Sequence, residues 1–250
     1  MTFEQTVQVP CHKNAERLIL ALDQPNAAAA LALVDAIPDL RWVKLGLELF
    51  TTAGPQLIQQ LLGRKLKLFL DLKFHDIPAT MKGACRSAAR LGPSLITVHG
   101  CAGLEALSAA QAGAQQGAED AGLACPMLLA VTVLTSWDQT RFAEQLAIGE
   151  PVQTYVQRLA GLAAHAGLGG LVCSPLEVAA LRKSHPQPFA LVTPGIRPEG
   201  STPGDQQRVM TPAQAIMSGA SQLVIGRPIS AANNPAAAFR ACCLAMAGQD

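Results

Sequence analysis

Short apolar segments that alternate with alanine-rich segments constrain the fold of this chain more than any other feature. They are rich in Val, Ile and Leu and recur at intervals of roughly 20 to 40 residues, the length that a βα unit needs. Most are apolar on both faces, which is typical of parallel strands covered by helices. The eight predicted strands are Leu18–Asp23, Trp42–Leu47, Leu66–Phe74, Ser94–His99, Met127–Leu134, Gly170–Ser174, Phe189–Thr193 and Gln222–Gly226.

The segments between the predicted strands include helix candidates at Ala27–Ala36, Pro78–Leu91 and Pro235–Ala247. Eight βα units predict an α/β protein, a (β/α)8 or TIM barrel, as one domain over residues 1–250. The main alternative is a doubly wound sheet, which usually has a glycine-rich turn after its first strand. Here that strand ends in Asp23-Gln24-Pro25, so the barrel is favoured.

Composition excludes several classes of protein. Half of the 250 residues are hydrophobic, and 19 Lys and Arg against 18 Asp and Glu give a net charge of +1. This balance argues against disorder and against binding nucleic acid through bulk positive charge. The polar N-terminus, the lack of a long apolar run, and seven cysteines without a Cys-x-x-Cys motif predict a cytoplasmic protein with free thiols.

Charged residues are scarce, yet they collect at the ends of predicted strands. In a barrel, catalytic groups lie at the C-terminal ends of the strands. The first strand ends at Asp23, the second carries Lys44, and the third carries Asp71 and Lys73, with Asp76 just beyond. Because strand side chains alternate, Asp71 and Lys73 share a face. We therefore expect Lys44, Asp71, Lys73 and Asp76 to form one network of alternating charge.

Two structural explanations of this network stay open. Four charges could simply close the barrel end with salt bridges, although enclosed charges cost several kcal/mol each unless they are well paired. Asp76 could instead cap the helix that begins near Pro78.

A phosphate site is the second prediction. Barrels often bind phosphate with the loops after strands seven and eight. Those loops carry Arg197 and Gly226-Arg227, and an arginine supplies bidentate, charge-assisted hydrogen bonds to an oxyanion. Arg227 is the stronger candidate because it directly follows a strand; the alternative is a surface arginine beside turn glycines. The segments Ser136–Gly149 and Gly195–Arg208 are predicted to be long functional loops.

The remaining reactive residue types show no constellation. His75 is expected to be packed or hydrogen-bonded, whereas His99 ends the fourth strand and could contact a substrate. No histidine pair or His/Cys cluster has metal-ligand spacing, and no Ser, Cys or Thr has a visible base partner. The sequence therefore predicts neither a metal site nor a nucleophile triad.

Taken in order along the chain, these residues resemble the orotidine 5′-phosphate decarboxylase family. The Asp-x-Lys-x-x-Asp pattern is shared with related sugar-phosphate lyases and synthases, but the combination of motifs is specific. The resemblance extends over essentially the whole chain and is carried by Ala21–Asp23, Lys44–Gly46, Asp71–Pro78, Val133–Ser136, Thr193–Pro198 and Val224–Pro228.

The resemblance implies an enzyme that converts orotidine 5′-phosphate to uridine 5′-phosphate and carbon dioxide, the last step of de novo pyrimidine nucleotide synthesis, with no cofactor. It implies that Lys73 protonates C6, that Asp71 lies near the substrate carboxylate, and that Lys44 and Asp76 complete the network. It also implies a homodimer with shared active sites, in which Asp76 and the neighbourhood of Thr80 come from the partner subunit.

Substrate-binding roles are implied in the same way. Asp23 and Lys44 would hold the ribose hydroxyl groups, and Thr135 or Ser136 would contact the pyrimidine. The phosphate end would be held by Gln206, Gly226, Arg227 and Arg197.

Two other functions remain open from the residues themselves. A metal-dependent sugar-phosphate lyase or synthase on the same barrel would need an acidic residue near the position of Lys44, which would itself repel a cation. A non-catalytic phosphate-binding barrel, acting as a sensor or scaffold, would bind nucleotide without turnover. Activity that disappears in a chelator would favour the first alternative, and tight nucleotide binding without turnover would favour the second.

Overall fold

Eight parallel strands close into a barrel in the computed structural model, which describes residues 14–198 and 208–246. Neighbouring strands pair in chain order, and the last pairs with the first through Leu18 and Leu223. The closed sheet confirms the predicted barrel and excludes the open, doubly wound alternative. The strands are β1 (Leu18–Ala21), β2 (Trp42–Gly46), β3 (Lys67–Phe74), β4 (Leu95–His99), β5 (Met127–Val131), β6 (Gly170–Val172), β7 (Ala190–Thr193) and β8 (Gln222–Ile225).

Helices follow the strands and cover the outside of the barrel. Several begin where a side chain accepts a hydrogen bond from the first helical turn or where proline occupies the first position, as at Asn26 and Pro78. The helices are α1 (Ala27–Asp35), α2 (Leu47–Gly63), α3 (Pro78–Ala89), α4 (Leu104–Ala121), α5 (Gln139–Leu146), α6 (Val152–His165), α7 (Val178–Ser184), α8 (Pro212–Met217), α9 (Arg227–Ser230) and α10 (Pro235–Ala245). Among the described residues, none of these helices combines the length and apolar character that a membrane span requires.

The prediction of a long loop at Ser136–Gly149 is wrong in part, because this segment contains α5. The Asp138 carboxylate accepts a hydrogen bond from the backbone N–H of Arg141 and caps the helix. Phe142 is buried and packs edge-on against Tyr155 of α6, with 5.4 Å between the ring centroids. A single buried aromatic residue in a polar stretch is a weak periodic signal, so the sequence pattern does not reveal this short helix.

Apolar side chains form two layers, one inside the barrel and one between the barrel and the helices. Alternate residues of each strand point to opposite layers. The outer layer is the larger and includes Leu18, Leu20 and Val43 together with the buried faces of the helices. The inner layer consists of Ile19, Ala21, Trp42, Phe69, Leu95, Leu129, Ala190, Val192 and Val224. This layer fills the barrel interior with apolar side chains.

Helices α3 and α4 pack unusually closely. A Cβ atom at Gly113 or Gly117 would lie 2.2 Å or 2.1 Å from the backbone oxygen of Lys82 or Arg86. Neither distance is possible for a real side chain, so only glycine permits this approach of the two backbones. The contact therefore fixes α3, which begins two residues after Asp76, against α4.

Candidate active site

Four predicted residues meet at the C-terminal end of the barrel. The Lys73 ammonium lies 2.9 Å from Asp71 Oδ1, and Lys44 Nζ lies 3.4 Å from Asp71 Oδ2. Lys44 Nζ is also 3.4 Å from Asp23 Oδ1. Trp42 of β2 and Phe69 of β3 belong to the apolar inner layer. Lys44 and Asp71 follow them by two residues, so their side chains also face into the barrel, nearer its C-terminal end. The structure thus brings together Asp23, Lys44, Asp71 and Lys73.

Asp71 is the most enclosed member of this cluster, with 7% of its surface exposed. Burial by itself would raise the pKa of Asp71. The charges of Lys44 and Lys73, with hydrogen bonds from Lys73 and Thr97, outweigh burial, so the pKa of this carboxyl group lies below its usual range. Asp71 is therefore a carboxylate near neutral pH, placed to keep two ammonium groups at the mouth of the barrel.

The backbone at Lys73 is not regular strand. Its φ of 49° places a non-glycine residue in the left-handed region, and the pairing of β3 with β4 shifts between Leu70 and Phe74. Asp71 and Lys73 do contact each other as expected, but local backbone geometry rather than simple alternation aims Lys73. A residue held in such a conformation at a polar cluster is typical of a functional site.

A small residue on β2 makes room for the ammonium group of Lys44. A Cβ atom at Gly46 would lie 3.0 Å from Lys44 Nζ. A side chain at this position would make the ammonium group shift by a few tenths of an ångström. Glycine therefore leaves room for Lys44 Nζ to lie near both Asp23 and Asp71.

A cavity of about 300 Å³ opens next to the cluster. Three charged groups form one side of it, and mostly apolar residues form the rest, as in sites that bind small molecules. Two residues predicted to contact a pyrimidine, Thr135 and Ser136, lie on its wall. The lining residues are Lys44, Phe69, Asp71, Lys73, Val131, Val133, Leu134, Thr135, Ser136, Val172, Cys173, Pro194 and Val224.

Asp76 and Thr80 lie apart from this cluster in the single chain. Both are exposed, and no ion pair joins Asp76 to the clustered lysines within the described residues. Asp76 also does not cap α3, because the N-cap residue is Ile77 and no side chain caps that end. Its carboxylate instead accepts a hydrogen bond from the Ile77 backbone N–H at 2.7 Å. The four-residue network is therefore incomplete within one chain.

The predicted phosphate end contains two neighbouring arginines. Burial, and then the nearby charge of Arg227, lowers the pKa of Arg197, so the two guanidinium groups lie within electrostatic reach of each other. Arg197 Nη1 donates a hydrogen bond to the Ile196 carbonyl oxygen at 2.9 Å. Gly226 directly precedes Arg227, which begins α9. Gln206 lies outside the described residues.

The match to known proteins extends over nearly the whole chain. A family model described as "Orotidine 5'-phosphate decarboxylase / HUMPS family" matches residues 16–242. The chain belongs to this family. The membership confirms the resemblance seen in the sequence motifs.

Individual members of the family are closely similar. A protein of Parasynechococcus marenigrum (strain WH8102) named orotidine 5'-phosphate decarboxylase is 62% identical over 234 residues, which are 94% of this chain and 95% of that protein. One of Synechococcus sp. (strain WH7803) with the same name is also 62% identical over 234 residues. The crystal structure of orotidine 5'-phosphate decarboxylase from Lactobacillus acidophilus is 37% identical, covers 92% of this chain and 99% of its own, and superposes with a TM-score of 0.82.

Thr97 contacts the charged cluster, and sequence reasoning missed it. It is fully buried on β4, at the next inward position after Leu95, and its hydroxyl group contacts both Asp71 and Lys73. A polar residue at an inward position of an otherwise apolar strand was the available signal.

A buried ion pair beside the cavity was missed as well. Arg208 pairs with Glu177, and its Nη2 donates to the carbonyl oxygens of Val133 and Leu134 at 3.1 Å each. Burial raises the pKa of Glu177 although Arg208 opposes the shift. Arg208 thereby ties the segment after β6 to the cavity wall after β5. The two partners are 31 residues apart, so no local pattern indicates the pair.

His99 ends β4 at the mouth of the barrel, as predicted, whereas the expected packing of His75 is wrong. His75 is exposed rather than packed, and its ring centroid lies 5.6 Å from that of His99. Burial lowers the pKa of His99, and the charges of His75 and Lys73 lower it further, which favours a neutral imidazole at the mouth of the barrel. Neither histidine joins a group of three or more His, Cys, Asp or Glu residues able to hold a metal within the part of the chain that the structure describes.

Proposed function

We propose that this chain decarboxylates orotidine 5′-phosphate to uridine 5′-phosphate, the last step of de novo pyrimidine nucleotide synthesis, in the cytoplasm. The observation that carries the proposal is the ammonium group of Lys73, held 2.9 Å from the buried carboxylate of Asp71 at the wall of the cavity. Membership of the family and the names of its close relatives support the same substrate.

The proposed reaction breaks the bond between C6 of the pyrimidine and its carboxylate carbon. Carbon dioxide leaves, and the electron pair of that bond stays on C6, where no π-system delocalises it. A positive charge already in place stabilises such an anion because it needs no reorganisation as the charge develops. Lys73 supplies that charge and then transfers a proton from Nζ to C6, which gives the product and a neutral amine.

Asp71 has two effects in this mechanism. As a carboxylate it favours the protonated form of Lys73, which the lysine needs as a proton donor. It would also lie near the substrate carboxylate, so repulsion between the two negative groups would be relieved when carbon dioxide leaves. Lys44, bound to both Asp23 and Asp71, holds the second carboxylate oxygen and presents a hydrogen-bond donor toward the ribose.

The remote phosphate contributes through binding energy. Enzymes lower barriers by roughly 8 to 23 kcal/mol, and one ammonium group does not supply the upper end of that range. Contacts far from C6 can hold the base in place and exclude water. Arg227, Arg197, Gln206 and Gly226 are the residues that we assign to the phosphate.

The complete site requires a second copy of the chain. We assign Asp76 and Thr80 to the active site of the partner subunit in a homodimer, which supplies the missing member of the charge network. Exposure of both residues supports this assignment, as does the neighbouring Ile77, an apolar residue with 67% of its surface exposed. A large apolar side chain beside the site is typical of an interface.

The direct test is turnover of orotidine 5′-phosphate in the presence of a chelator. We expect the ultraviolet absorbance of the substrate to change to that of uridine 5′-phosphate at the same rate with and without chelator, because Lys73 needs no metal to donate its proton. Activity that disappears with the chelator would favour the metal-dependent lyase instead. Tight nucleotide binding without turnover would favour the non-catalytic barrel.

Replacing Arg227 with alanine is expected to raise KM by about 10²-fold and to change kcat less, because a charge-assisted bidentate contact to phosphate contributes about 2–3 kcal/mol. Steady-state kinetics with orotidine 5′-phosphate and with orotidine separate the two parameters. With orotidine, which has no phosphate, the kcat/KM of the variant should be close to that of the unchanged chain. An equal loss on both substrates would contradict the assignment.

A further inference from the structure

The hydroxyl group of Thr97 links the backbone N–H of Lys73, through Asp71, to the ammonium group of the same lysine. The Lys73 backbone N–H donates to Thr97 Oγ1 at 2.9 Å, and Thr97 Oγ1 donates to Asp71 Oδ1 at 3.0 Å. The same oxygen, Asp71 Oδ1, accepts from Lys73 Nζ at 2.9 Å. One hydroxyl group and one carboxylate thus close a ring that fixes both the backbone and the side-chain end of Lys73.

This ring lies at the irregular point of the sheet. Leu70 pairs with Ile96 and Phe74 pairs with Val98, so three residues of β3 face the single residue Thr97 of β4. The Lys73 N–H therefore has no regular strand partner, and a buried N–H without an acceptor is costly. The Thr97 side chain supplies the acceptor, which stabilises the left-handed backbone of Lys73.

Thr97 acts through its neighbours and not on a substrate. Its side chain is fully buried and is absent from the residues that line the cavity. The charged and titratable groups around its carboxylate partner are Lys44 of β2, Lys73 of β3, His99 at the end of β4, and Asp23 after β1. Thr97 is the uncharged donor among them, and its hydroxyl group does not itself titrate near neutral pH.

We propose that Thr97 is a positioning residue for the decarboxylation, because its hydroxyl group sets the direction of the Asp71 carboxylate and the backbone turn that aims Lys73 into the cavity. The inference rests on the proposed function. It adds a role for a side chain that neither touches the substrate nor carries a charge.

Thr97→Val tests the role because valine keeps the shape of threonine and removes the hydroxyl group. We expect kcat to fall by about 10²-fold, since a small displacement of a reacting group has an effect of that size. KM for orotidine 5′-phosphate and the Kd of uridine 5′-phosphate should stay within a few-fold. Thr97→Ser, which keeps the hydroxyl group, should recover most of kcat.

The pH profile of kcat separates a positioning role from a purely structural one, because loss of stability alone would not shift the acidic limb of the profile. Loss of the hydrogen bond from Thr97 removes support for the ionised form of Asp71, so its pKa rises. The reaction needs the carboxylate, and the acidic limb of the profile is therefore expected at higher pH in Thr97→Val and at its original position in Thr97→Ser.

Thr193→Val is the matched control for the loss of a buried hydroxyl group. Thr193 is also fully buried, on β7, and makes no hydrogen bond to the described members of the charge cluster. Thermal unfolding of both valine variants shows how much of any effect is loss of stability. If Thr97→Val does not fold, Thr97→Ala against Thr97→Ser gives the same comparison, because these two differ only in the hydroxyl group.

The outcomes separate the inference from the proposed function. Turnover by the unchanged chain, together with a normal kcat and pH profile in Thr97→Val, would overturn the role of Thr97 and leave the proposed function intact. Absence of turnover by the unchanged chain would overturn the proposed function. In that case the titration of Asp71 followed by carbon-13 NMR still tests the contact, and an unchanged midpoint in Thr97→Val would contradict it.

Discussion

Lys73→Ala is expected to reduce turnover of orotidine 5′-phosphate by more than about 10⁴-fold, because it removes both the proton donor and the positive charge beside C6. General acid catalysis and electrostatic stabilisation are separate effects, and one ammonium group provides both here. Binding of uridine 5′-phosphate should remain measurable, because the contacts to the ribose and the phosphate are intact. Single-turnover kinetics and a binding titration measure the two effects separately.

The same strand offers a matched control for this substitution. Lys67 begins β3 at the opposite end of the barrel, where its ammonium lies 2.9 Å from Glu16 and is half exposed. Lys67→Ala removes a lysine from the same strand and should leave kcat within a few-fold, since an exposed ion pair contributes little to stability. Near-normal turnover in Lys73→Ala would refute the assigned role. Equal losses in both variants would indicate damage to the strand instead.

Mixing inactive Lys73→Ala subunits with inactive Asp76→Ala subunits is expected to restore about one quarter of the unchanged activity. In a symmetric dimer with shared sites, a mixed pair has one site with both substitutions and one site with neither. Random exchange makes half of the dimers mixed, and each of these has one intact site of two. Differently tagged subunits, exchanged and then assayed together, measure the recovery.

Lys73→Ala mixed with Asp71→Ala is the control for this experiment. Lys73 and Asp71 contact each other within one chain, so both sites of that mixed dimer contain one substitution and no activity should return. Equal recovery in both mixtures would indicate an artefact of exchange. No recovery with Asp76→Ala, when tag purification shows that mixed dimers have formed, would count against a site built from two chains.

The sequence predicts the barrel well because its signal is local and repeated. Each strand is a short run that is apolar on both faces, and all eight predicted runs overlap the observed strands with only small shifts at the ends. The prediction failed at α5, where a polar segment folds into a helix around one buried residue, Phe142. A short helix with one buried side chain leaves little trace in a periodic pattern.

The candidate site was predicted in part. Lys44, Asp71 and Lys73 were recognisable because charges at strand ends stand out in a chain with few charged residues, and they meet as expected. The pair Glu177–Arg208 was not recognisable, because its partners come from separate loops. The roles assigned to Asp76 and Thr80 stay predictions, since they depend on a second copy of the chain.

By itself, the sequence determined the order of elements, the closed parallel barrel, the family, and the rim at which the chemistry belongs. These follow from strand and helix periodicity and from charge placed at strand ends, which are properties of neighbouring residues. Only the tertiary structure decided how Lys73 is aimed. When β3 pairs with β4, the register shifts, the backbone of Lys73 becomes left-handed, and its N–H binds the hydroxyl group of Thr97. These features depend on hydrogen bonds between residues that are distant in the sequence, so neither strand predicts them by itself.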